Sequence, residues 1–112
     1  MRTYKDFAFK SIKELVEEGI KLSRSISSND FQQYGRYHQT GFSYADNSFQ
    51  RWADYSQKII ELSTKELDTS IYLNYLRLLL SLQQNVNMPA DRKLAACLDF
   101  LIEVLKIITR YQ

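Results

Sequence analysis

Residues 70–84 read SIYLNYLRLLLSLQQ, and the distribution of leucines in this stretch decides the fold. Ser70, Asn74, Arg77, Ser81 and Gln84 recur at steps of four and three, so on a helix they line up as one narrow polar stripe. The other side chains, among them Tyr72, Leu73, Tyr75, Leu76 and Leu80, cover roughly 220° of the circumference at 100° per residue. The segment that follows has the same design. Arg92, Asp99, Glu103, Lys106 and Arg110 form its stripe, while Leu94, Leu98, Phe100, Leu101, Ile102, Val104, Leu105, Ile107 and Ile108 fill the rest.

A helix in a four-helix bundle needs an apolar face only somewhat wider than about 100°. Both helices therefore carry surplus apolar surface, and each leucine or isoleucine left in water forgoes ~1.5–3 kcal/mol of burial. Contiguous apolar surface on a small protein marks an interaction site. The expectation is a homodimer or another protein partner docked through Leu73, Leu76, Leu80, Ile102 and Ile107.

Toward the N-terminus, residues 5–27 predict a first amphipathic helix, with Phe9, Ile12, Leu15, Val16, Gly19, Leu22 and Ile26 on one side. Gly19 lies on that apolar seam at a cost of ~1 kcal/mol in helix propensity relative to alanine, and close approach of a neighbouring helix is the expected return. The polar run Ser27-Ser28-Asn29-Asp30 and the glycines Gly35 and Gly41 then predict a long connection over 28–45. Phe31, Tyr34, Tyr37, Phe42 and Tyr44 make it too aromatic for a disordered segment.

Asp46 is the expected N-cap of a second helix over 46–62, with Phe49 and Trp52 as core anchors. A continuous helix from 46 to 86 would run ~60 Å, too long for so small a domain. A break is therefore expected between 62 and 69, with Ser63 and Glu66 as a capping box for a third helix over 64–86. Asn85, Asn87 and Pro89 end it, and a fourth helix occupies 89–110. The predicted fold is all-α: a single domain over 1–112, an antiparallel four-helix bundle with a long aromatic-rich loop between the first two helices.

Composition narrows the function classes. The chain has 112 residues, a formal charge of +2, one cysteine, three glycines and one proline. Basic residues are spread rather than clustered, so nucleic acid is not the expected partner. One cysteine excludes an internal disulfide, no N-terminal segment has the apolar core of a secretion signal, and a cytoplasmic setting is expected. Arg77, Ser81 and Lys106 interrupt the apolar runs well short of the ~20 residues that span a bilayer.

No catalytic, cofactor or metal site is expected. One histidine and one cysteine far apart match no metal-ligand spacing, and Cys97 among Leu94, Leu98 and Leu101 reads as a buried structural thiol. Asp99 and Glu103 sit beside Lys106 and Arg110 as a solvated stripe. Helical ribonucleases of the HEPN type carry an arginine followed several residues later by a histidine on one helix; here Tyr37 alone separates Arg36 from His38, and the motif fails. Tyr34, Arg36, Tyr37, His38 and Tyr44 are retained as ligand contacts for an alternative reading, a small-ligand or nucleotide sensor.

Leu15, Gly19, Leu22, Ser25 and Ile26, a variable aromatic segment, then Phe49, Trp52 and Ile59 together resemble the helical module of uncharacterised prokaryotic proteins associated with phage defence. The likeness covers about residues 12–62. It implies a recognition or regulatory module. In size and four-helix character the chain is also similar to bacteriocin immunity proteins, an architectural analogy without a shared motif.

Overall fold

The computed structural model describes residues 6–37 and 44–110, with side chains from 7 to 26 and from 45 to 110. They form a helical bundle: α1 (Asp6–Tyr37), α2 (Tyr44–Leu62), a 3-10 turn at Ser63–Lys65, α3 (Thr69–Gln84) and α4 (Ala90–Arg110). No strand occurs among the described residues. The bundle is elongated, 54 × 24 × 18 Å.

α1 corrects the expected boundary, continuing to Tyr37 where the sequence reading stopped at 27. Ser, Asn and Asp end a helix only when their side chains divert the backbone; otherwise each costs well under ~1 kcal/mol, and no proline stands here to force a break. Phe31, Tyr34 and Tyr37 thus belong to a helix rather than to a loop, and the remainder of the expected loop, 38–43, lies outside the described residues. α2 begins at Tyr44, which places Asp46 inside the first turn rather than at the cap; there its carboxylate still favours the helix dipole.

Between α2 and α3 the expected capping box is replaced by two separate arrangements. Ser63 is buried, and its Oγ donates to the Ile59 carbonyl at 2.8 Å. Glu66, in the connection before α3, reaches across to α1, its Oε1 accepting from the Ala8 amide at 2.8 Å, so it satisfies one of the orphan N–H groups in the first turn of α1. The cap of α3 is Asp68, whose side chain accepts from the Ser70 amide at 3.0 Å, and α3 starts at Thr69 rather than 64. The Pro89 carbonyl receives the amides of Arg92 and Lys93, both at 3.1 Å, and opens α4.

α1 packs most extensively on α4 and α2, and α3 packs on α2 and α4. The core centres on Ile12, Leu15, Ile26, Ile60, Leu94 and Leu101, all fully buried. Three helices meet at Gly19. A β-carbon added there would lie 2.6 Å from Leu98 Cδ2 and 3.1 Å from Trp52 Cζ2. The indole Nε1 of Trp52 donates to the Leu15 carbonyl one turn earlier, at 3.2 Å.

Gly19→Ala sets a propensity gain of ~1 kcal/mol against an overpacking cost of ~1–3 kcal/mol. The Trp52 ring and the buried Leu98 have little room to retreat, so the expected result is a net loss of about 1 kcal/mol. In a Leu98→Ala background that cost shrinks, because only the indole contacts stay tight; urea midpoints across the double-mutant cycle measure the coupling.

Candidate functional site

Nine of the sixteen residues of α3 are Ile, Leu or Tyr, yet only Tyr75 and Leu82 are buried. In α4, by comparison, seven residues are buried. Leu73 and Leu80 are 47% and 54% exposed, and Leu76 between them is half-buried. At 100° per residue these three fall within a wedge of roughly 60°, forming one stripe along the outer side of α3.

Ile102 and Ile107 do not join that stripe as one patch. They lie five residues apart, roughly 140° around α4. Ile102 is half-buried on the flank of Leu98, which faces α1, whereas Ile107, 38% exposed, is on the flank of Phe100, which faces α3. The structure therefore aligns Leu73, Leu76 and Leu80 in one stripe and places Ile102 and Ile107 on different flanks of α4. Asn74 is exposed, and its Oδ1 accepts from Arg77 Nη1 at 3.3 Å, which keeps it within the solvated stripe. Of the alternative ligand set, Tyr34, Arg36 and Tyr37 fall on the last turns of α1 and Tyr44 on the first residue of α2; their side chains, and His38 entirely, lie outside the described residues.

Beside the leucine stripe runs a groove of about 550 Å3. One wall carries Leu79, Gln83 and Val86, the opposite wall is the polar side of α2, with Asp46, Gln50, Asp54 and Gln57, and Lys93 of α4 also lines the groove. Gln50 Nε2 donates to Asp54 Oδ1 at 2.9 Å and holds that carboxylate on the wall. Such a groove depends on how far two helices splay, which no single-helix pattern reveals.

No family model matches the chain, and no curated protein or solved structure is significantly similar to it. Among the described residues no three His, Cys, Asp or Glu side chains converge on a metal-sized site, and no helix is long and apolar enough to cross a membrane.

Under α3 lies a small polar cluster that the apolar pattern concealed. The Tyr75 hydroxyl and Ser56 Oγ are 2.6 Å apart, and Ser56 Oγ also donates to the Ala53 carbonyl at 2.7 Å. Tyr75 stacks obliquely on Phe100, with ring centroids 5.2 Å apart. Burial raises the Tyr75 phenol well above its usual range, with the Cys97 sulfur adding to the rise. Burial likewise pushes the Cys97 thiol from 9.0 up to about 11, partly opposed by its hydrogen bond with Tyr75. A thiol held protonated so far above neutrality is a poor nucleophile.

Removing one partner of this cluster is expected to act asymmetrically. Tyr75→Phe leaves Ser56 satisfied by Ala53 and costs about 1 kcal/mol; Ser56→Ala strands a buried phenol with only a weak sulfur acceptor and costs about 2 kcal/mol in chemical denaturation.

The alkaline limb of stability follows from the thiol. Its folded pKa exceeds the unfolded one, so the unfolded chain releases the proton first and stability falls as pH climbs from 9 toward 11. A two-unit difference is worth about 2–3 kcal/mol. Cys97→Ala is expected to remove the part of the loss that begins near pH 9 and to retain the tyrosine part that begins near pH 10, as read from urea midpoints across that range.

Proposed function

We propose that this chain is a non-enzymatic helical interaction module that works by docking a protein along α3, with a second copy of itself as partner. One observation carries the reading: the leucine-rich α3 leaves Leu73 and Leu80 about half exposed, with Leu76 half-buried between them. Leaving that stripe in water forgoes several kcal/mol of burial, which a docked partner recovers. The short connections at 63–68 and 85–89 support an antiparallel arrangement of α2, α3 and α4, in which α3 is the helix turned outward. The resemblance of residues 12–62 to modules of prokaryotic phage-defence proteins supports a regulatory role in that setting and a cytoplasmic location.

Light scattering tests the reading. The wild type is expected to show a mass above the 13.2 kDa of one chain, and Leu73→Glu/Leu80→Glu to return it to 13.2 kDa with unchanged helical circular dichroism, since glutamate suits an exposed helix position. A wild type that remains monomeric up to roughly 1 mM, where an association of about −4 kcal/mol would register, removes the reading.

A further inference from the structure

We propose that the two α3 helices pair side by side and in the same direction about a twofold axis, each sending Arg77 across to Asp54 of the partner subunit. The proposal rests on the docking reading above and adds orientation and specificity to it.

The seam is written in the spacing. Thr69, Leu73, Leu76, Leu80 and Gln83 follow one another at steps of four, three, four and three, the heptad repeat by which one helix packs along another. All five are exposed or half-buried. Leu73 and Leu80 occupy one heptad position and Leu76 the other.

Same-direction pairing sets each leucine against its own counterpart, giving three leucine layers closed by Thr69 and Gln83 at the ends. Opposite-direction pairing alternates the two heptad positions. It then matches Leu73 with Leu76, or Leu76 with Leu80, and leaves the third leucine against Thr69 or Gln83. The same-direction seam buries more leucine against leucine.

Charge selects the same orientation. Arg77, exposed, flanks the seam on one side. Tyr72 and Leu79 flank it on the other, and beyond Leu79 lie the groove and the α2 wall with Asp54. Same-direction pairing brings unlike flanks together, so the partner's Arg77 faces that wall. Its height is right: Ser56 of α2 meets Tyr75, and Asp54 shares the groove with Leu79 and Gln83, which puts Asp54 level with the turn that holds residue 77. Opposite-direction pairing would instead set Arg77 beside the partner's Arg77, like charges on one flank, and would leave Asp54, among the amides and Lys93 of the groove, out of reach of either guanidinium.

Two sets of variants test this on the full chain. Arg77→Asp and Asp54→Arg are each expected to weaken self-association by about fivefold or more, and the double variant, which restores unlike pairs, to recover most of the loss. Leu73→Cys and Leu80→Cys, each alone, are expected to form interchain disulfides under mild oxidation, because each residue faces its own counterpart; Cys97 is fully buried and does not compete. Association in which disulfides form only when Leu76→Cys is mixed with Leu73→Cys, or with Leu80→Cys, overturns the same-direction seam and leaves docking on α3 standing. Additive losses in the charge-swapped double variant overturn the Arg77 crossing in the same way. A monomeric wild type removes both proposals.

Discussion

At Gly19 α1 offers no side chain, and the bundle closes around that space. The Trp52 indole from α2 and the Leu98 side chain from α4 enter it together, each within van der Waals reach of where a β-carbon would stand. The indole N–H would be a liability in so apolar a place, but it donates to the Leu15 carbonyl on the same stretch of α1. One missing side chain therefore fixes the height of two helices against a third. α3 takes its place through different contacts, Tyr75 against Ser56 of α2 and Phe100 of α4.

What the sequence showed followed from burial having a period. The four helices, the buried ring pair Phe49 and Trp52, and the buried thiol at Cys97 were legible because each depends on neighbours within its own helix. Gly19 was legible for a related reason: a glycine on an apolar seam loses helix propensity, and only close packing compensates for that. Features that depend on two distant segments were not. Glu66 looked like half of a local capping box, whereas its partner is the Ala8 amide 58 residues earlier. The end of α1 was misplaced because Ser27-Ser28-Asn29-Asp30 can cap a helix or continue one, and nothing local decides between the two.

The exposed leucine stripe of α3 was half legible for the same reason. A helical wheel shows that α3 and α4 carry surplus apolar area, but it treats each helix alone and cannot tell which flank adjoins which neighbour. Ile102 and Ile107 therefore seemed to extend the α3 surface, although they lie on opposite flanks of α4. The groove beside the leucine stripe, with its wall of α2 carboxylates and amides, arises only once α2 and α3 are placed together.

The width of the apolar arc on α3 also poses a problem of uniqueness. When about 220° of a helix is apolar, turning it by one residue exchanges one set of leucines for another at little cost in buried area, so hydrophobic contact alone leaves the rotation underdetermined. The Tyr75 hydroxyl resolves this. It is inside the bundle and must find a partner there, and Ser56 provides one at 2.6 Å in only one rotational setting. A rotation of 100° would withdraw the phenol from Ser56 and leave it to be satisfied elsewhere, while Ser56 kept the Ala53 carbonyl. With Tyr75 pinned, Leu82 two turns later is directed inward, and Leu73 and Leu80 are directed out. The polar pair beneath α3 and the leucine stripe on its outer side are thus two consequences of one surplus: a helix with so wide an apolar face needs a buried hydrogen bond to fix which part of it water sees.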